Sequence, residues 1–142
     1  MSLKIQVTFD CEDAERMASF WAIALDYQLQ PPPDGFDSWP EALEAHGIEV
    51  PPEGSIGAVV DPDGVGPRLL FIRVPEGKVV KNRIHLDVDA GGGDAAKLAK
   101  IAQLVEAGGT EVGRVDEEGS WWMVMQDPEG NEFCVVGRAD DL

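Results

Sequence analysis

Cysteine, positive charge and long apolar runs are all scarce in this chain. Its 142 residues include two cysteines, Cys11 and Cys134, and neither belongs to a Cys-x-x-Cys pair. A disulfide framework and a paired-cysteine zinc or redox motif are therefore excluded, and both thiols are expected to be reduced. Eleven Lys and Arg stand against 27 Asp and Glu, a formal net charge of −16 at pH 7. Such a surface repels phosphate backbones and anionic lipid heads, which argues against nucleic acid and membrane as partners. No stretch reaches the roughly 18 apolar residues of a membrane span, and Met1-Ser2-Leu3-Lys4-Ile5 lacks the basic-then-apolar pattern of a secretion leader. A cytoplasmic protein is expected. Gly91-Gly92-Gly93 has neither G-x-G-x-x-G nor Walker spacing, so it reads as a joint between strand and helix, not a nucleotide loop.

With 44% hydrophobic residues, the chain can bury a core as one domain. Five of its eleven basic residues fall together, at Arg68, Arg73, Lys78, Lys81 and Arg83. They fit either the snorkelling ends of a strand pair or an anion site.

The internal repeat is the strongest signal. Ile5-Gln6-Val7-Thr8-Phe9-Asp10 can be set over Ile84-His85-Leu86-Asp87-Val88-Asp89, apolar on apolar and polar on polar. Each hexamer alternates with period two, so Ile5, Val7 and Phe9 match Ile84, Leu86 and Val88 as a core face, and Gln6 matches His85. A helical stretch follows each. Met17, Phe20, Trp21 and Leu25 form the stripe of one over Ala14 to Leu25; Leu98, Ile101, Leu104 and Val105 form the other over Asp94 to Ala107. Asp13 and Asp94 are the expected N-caps. Asp61-Pro62-Asp63-Gly64 then recurs as Asp127-Pro128-Glu129-Gly130, a type I turn signature. These turns join Ile56–Val60 to Leu69–Val74, and Trp121–Gln126 to Glu132–Val136, as two hairpins. Between Pro31-Pro32-Pro33 and Pro51-Pro52, Ser38-Trp39-Pro40-Glu41 fits a capping box and predicts a short helix ending near His46.

The duplicated βαβββ pattern, with Phe20-Trp21 late in the first helix, Arg83 to Val88 opening the second half and Asp127-Pro128-Glu129-Gly130-Asn131-Glu132-Phe133 closing it, resembles the vicinal-oxygen-chelate superfamily, and within it the glyoxalase-like branch. The resemblance implies an α+β fold: two tandem βαβββ modules forming a cup-shaped, curved mixed sheet with helices outside. The modules would span about 1–77, with the helical insert at about 38–46, and about 82–138, in one domain. It also implies a small-molecule site in the cup. Superfamily enzymes hold a divalent metal with one residue from each first strand and one from each last strand. Here those positions fall on Gln6, His85 and Cys134, with the fourth near Phe71, which coordinates nothing. An amide, imidazole and thiol suit magnesium or manganese poorly, and the amide is a weak third ligand for zinc or iron. The expectation is a degenerate metal site, with no cofactor; a bound divalent metal is the alternative.

The individual residues each carry two readings. His85 is either a polar residue satisfied by its neighbours or a proton-transfer group that Asp87 or Glu132 could tune. Cys134 is either a small buried hydrophobe or a nucleophile, and Glu132 a further catalytic candidate. His46 reads as a surface residue. With a bulge at Gly130, Trp122, Val124 and Gln126 share a face with Cys134 and, with Phe71, make an apolar, aromatic pocket wall. Arg83 is the candidate for holding an anionic or carbonyl group of the ligand, with Gln6, Phe71, His85, Trp122 and Cys134 as the other binding residues. The leading expectation is a binder of a small organic molecule. Its rivals are a lyase, isomerase or dioxygenase of the same superfamily and a non-catalytic interaction module. Apolar strand edges would allow a homodimer.

Overall fold

The first half and the second half lay down the same sheet. The computed structural model describes residues 1–137, so Arg138, the end of the expected second module, lies outside the described residues. By contacts the chain divides into two compact units. One comprises Met1–Ala22 and Asp26–Glu76, the other Ile23–Leu25 and the chain from Gly77 onward.

In the first half of the chain β1 (Val7–Cys11), α1 (Ala14–Leu25), β2 (Gln28–Leu29), α2 (Trp39–Ala45), β3 (Ile56–Val60) and β4 (Leu69–Arg73) follow in order. The sheet order is β1-β4-β3-β2, with β1 parallel to β4 and the other pairs antiparallel. α1 occupies the residues that its periodicity predicts. Asp13 caps it by accepting from the Arg16 N–H, and Asp26 ends it in the left-handed region at φ 52°. Ala14, Met17, Ala18, Trp21 and Ala24 are buried along one stripe. Trp21 packs on Phe9, with ring centroids 5.2 Å apart, and Phe9 on Phe71 at 5.0 Å. The start of α1 presses close to β3: a Cβ on Gly57 would stand 2.7 Å from the Ala14 carbonyl oxygen, so glycine is required there. α2 begins with Ser38 accepting from the Glu41 N–H, but Glu41 reaches back to the Asp37 N–H instead of closing the box on Ser38.

The second unit repeats the order with β5 (Asp87–Asp89), α3 (Gly93–Glu106), β6 (Thr110–Glu117), β7 (Ser120–Gln126) and β8 (Glu132–Val136), in the sheet order β5-β8-β7-β6. β5 and β8 are parallel, and the other pairs antiparallel. Glu118 and Gly119 both have positive φ and make the two-residue turn between β6 and β7.

Several expectations need correction. Ile5 and Ile84 are exposed and precede their strands, so the core face of each first strand begins later than the hexamers suggest. α3 starts at Gly93 with Gly92 as its N-cap and no side-chain cap bond, because Gly91 to Gly93 all take positive φ and carry the chain straight into the first turn. Asp94 sits in that turn and accepts from the Trp121 indole instead. Leu98 and Val105 are exposed, while Lys97 is buried with Ile101 and Leu104.

Both Asp-Pro turns close as expected. Gly64 donates to the Asp61 carbonyl at 3.0 Å and Gly130 to that of Asp127 at 2.9 Å. The two carboxylates brace them: Asp61 accepts from the N–H groups of Asp63, Val65 and Gly66, and Asp127 from those of Glu129 and Asn131 and from the Asn131 amide.

Candidate functional site

In β7 and β8 the side chains alternate, and the register decides which set meets solvent. Val124 pairs with Cys134 and Gln126 with Glu132, so these four share one face with Trp122 and Val136. The opposite face carries Met125, Phe133 and Val135, all fully buried. The first face borders a cavity of ≈ 440 Å³, with Trp122, Val124 and Val136 as apolar wall and Lys81, His85 and Asp87 as polar groups beside them.

Asp87 and Cys134 are register partners in the parallel β5–β8 pair, and the Cys134 N–H donates to the Leu86 carbonyl at 3.0 Å. His85 precedes β5 and its Nε2 lies 3.4 Å from Asp87 Oδ1. One donor atom from each of His85, Asp87 and Cys134 falls within 4.8 Å of the other two. The thiol is buried, whereas His85 and Asp87 are exposed. Burial pushes the Cys134 thiol pKa up, the Asp87 carboxylate that accepts its hydrogen bond adds to the rise, and Lys81 opposes it. That environment keeps the thiol protonated and does not suit a nucleophile.

Glu132 serves the chain itself. Its carboxylate accepts from the Asn82 N–H and from Lys78 Nζ, each at 3.0 Å, and Lys78 also donates to the Val80 carbonyl at 2.7 Å. The Asn82 bond foremost, with Lys78 adding, lowers its pKa to about 2 against the opposing effect of burial. A carboxylate so held is ionised at neutral pH and is no proton donor there. It staples the segment 78–82 to the start of β8.

The other expected residues are placed differently. Arg83 is exposed, and the cation on the cavity is Lys81. Gln6 belongs to the first unit, where its Oε1 accepts from Arg68 Nη1 at 2.8 Å while Arg68 Nε donates to Gln30 Oε1, also at 2.8 Å. Arg73 donates to the carbonyls of Glu12 and Glu53. Three of the five clustered basic residues thus tie chain segments together. His46 is exposed, with Nδ1 2.7 Å from the Ala42 carbonyl oxygen.

Phe71, expected on the pocket wall, is instead a core residue with 0% exposure. The ladders give the reason. Thr8 pairs with Leu70 as Asp87 pairs with Cys134, and Phe9 with Phe71 as Val88 with Val135. Leu70, not Phe71, is therefore the counterpart of Cys134, and a one-residue shift turns Phe71 to the other face. Asp87 was not among the expected site residues, although its place two positions after His85 on an alternating strand put it on the same face.

A metal set drawn from both halves does not fit these residues. The first half offers an amide already engaged by Arg68 and, at the last-strand position, the aliphatic Leu70. The donors lie in the second half.

A family model described as a glyoxalase-like domain matches residues 6–136. No curated protein matches. Among solved structures, the fosfomycin resistance protein FosX from Mesorhizobium loti is similar with a TM-score of 0.65 at 11% identity, covering 96% of this chain and 91% of that one. A glyoxalase/bleomycin resistance protein/dioxygenase family enzyme from Burkholderia phytofirmans PsJN gives 0.60 at 17%, covering 93% and 95%. A glyoxalase family protein from Bacillus cereus gives 0.62 at 17%, covering 96% and 95%. At these identities the likeness establishes the fold.

Proposed function

We propose, for a chain that belongs to the glyoxalase-like domain family, that it binds a small organic molecule against the cavity-lining face of β7 and β8. The reading rests on one observation: a cavity of ≈ 440 Å³ with an apolar wall of Trp122, Val124 and Val136 and with Lys81, His85, Asp87 and Glu132 among its polar lining. Volumes of roughly 300–1,000 Å³ with apolar walls and a few polar groups are typical of small-molecule sites. The wide face of Trp122 favours a flat ligand, and the polar groups would orient it. Glu132 and Lys78 satisfy each other and hold the border in place.

The experiment is a thermal-shift screen with two probe sets, aromatic carboxylic acids and uncharged flat aromatics, followed by methyl NMR. Stabilising compounds should shift the Val124 and Val136 methyl resonances, and Trp122→Ala should cancel their stabilisation without unfolding the protein. Absence of any stabilising compound, or hits that leave both valines unmoved, would overturn the reading.

A further inference from the structure

We infer that Lys97 and Asp94 of α3 are positioning residues for Trp122: from the helix side of the second sheet they fix its neighbour Trp121, and so hold the end of β7 against the cavity. Their role rests on the reading of that cavity as a ligand site, whose aromatic wall they keep in place. The β7–β8 ladder runs from Met123 to Gln126, whereas Ser120, Trp121 and Trp122 pair with β6 alone among the described strands. β6 is itself exposed along its whole length. A strand end paired on one side only would leave Trp122 loosely placed, although Trp122 lines the cavity.

The missing support comes from α3. Lys97 is 3% exposed, and its Nζ donates to the Trp121 carbonyl at 2.9 Å. That carbonyl belongs to the planar peptide that leads into Trp122, so fixing it fixes the Cα from which the Trp122 ring departs. Asp94 accepts from the Trp121 indole N–H at 2.9 Å and meets Lys97 Nζ at 3.2 Å, and the same Nζ lies 4.2 Å from the indole centroid. Carbonyl, indole N–H and ring face of one residue are thus held by two side chains one helical turn apart. The lysine stem also lies against Gly137, where a Cβ would stand 3.1 Å from Lys97 Cγ, and Gly137 lines the cavity as well. Successive side chains on a strand point to opposite faces, so Trp121 is gripped on the helix side while Trp122 is presented to the cavity. A ring ordered in advance spares a ligand the cost of ordering it on binding.

The four tryptophans, labelled as 5-fluorotryptophan, give the test by fluorine NMR. Each resonance is assigned by replacing one tryptophan with phenylalanine. Lys97→Met and Asp94→Ala should shift or broaden the Trp122 resonance and leave those of Trp21 and Trp39 as they are, whereas global weakening would disturb these as well. Asp94→Asn, which keeps an oxygen for the indole N–H, should restore the native Trp122 signal. With 2-naphthoate as probe, read at the Val124 methyls, Lys97→Met and Asp94→Ala should bind roughly 2- to 10-fold more weakly, the cost of ordering one loosened side chain. A Trp122 resonance unmoved in both variants, or a moved one with unchanged affinity for the probe, would overturn the assignment. If the native protein fails to bind 2-naphthoate, the ligand reading loses that support, and the Trp122 resonance still decides whether α3 fixes the ring. Asp94 is exposed, so Asp94→Ala should keep the fold and decides should Lys97→Met not fold.

Discussion

Asp87 and Cys134 face each other across the parallel β5–β8 ladder, and the thiol donates its hydrogen bond to the carboxylate. In the first unit the same two places hold Thr8 and Leu70. Duplication kept the backbone pairing and let the chemistry on it diverge. The second sheet carries a polar pair where the first carries a hydroxyl beside an aliphatic chain.

That equivalence predicts unequal costs for neighbouring truncations in β4. Phe71→Ala empties the centre of the cluster with Phe9 and should cost about 3–5 kcal/mol. Leu70, half-buried on the opposite face, should cost clearly less when cut to alanine. Urea denaturation of the two variants checks this, and equal losses would refute the register.

Lys97 is buried beneath Trp121: its Nζ donates to the Trp121 carbonyl at 2.9 Å, meets Asp94 at 3.2 Å and lies 4.2 Å from the ring centroid. Lys97→Met keeps much of the packing but strips these partners, and should cost about 1–3 kcal/mol. Arg114 stacks near the same ring at 4.3 Å but is exposed, so Arg114→Ala should cost about 1 kcal/mol or less. Chemical denaturation ranks the two. An equal cost would mean that burial of the lysine contributes nothing.

Asp61 links stability to pH. The N–H groups of Gly66, Asp63 and Val65 hold its carboxyl below the ordinary value, with the Gly66 bond the largest cause and burial opposing. A folded pKa below the unfolded value of about 3.9 means that the contribution is complete above that pH and fades as pH falls through the folded pKa. The Tm gap between the native protein and Asp61→Asn should therefore be widest near pH 7 and shrink in acid. A gap that is flat with pH would show that the carboxylate charge is not its source.

Glu132→Gln should loosen the segment it staples. The Asn82 N–H now donates to a charged acceptor, as does Lys78. Weakening both should speed amide hydrogen exchange at Asn82 while the β7–β8 amides remain protected. Unchanged exchange at Asn82 would show that the segment is held by other contacts, such as the bond from the Asn82 amide to Asn131.

Much of the fold was legible because its signals are local. A capping Asp13 followed by buried residues at helical spacing marks α1, Ser38 marks α2, and Asp-Pro-x-Gly marks both hairpin turns. The shared face of Trp122, Val124 and Cys134 also followed from alternation and the turn. Phe71 was misplaced because alternation gives two faces without saying which is buried, and one residue of slip exchanges them. For Arg83 and Glu132 the local pattern is equally silent. Whether a charged side chain meets a ligand or a neighbouring segment depends on contacts distant in sequence, such as those of Asn82 and Lys78 with Glu132.

By itself the sequence determined the duplicated α+β unit, since period-two hexamers, amphipathic helices and matched turns each act over a few residues. Only the tertiary structure decided the register between β1 and β4 and between β5 and β8. That register put Leu70 opposite Thr8 and brought Asp87 to Cys134. Parallel strands joined by long crossovers are aligned by the packing of the whole unit, and no nearby turn dictates their pairing.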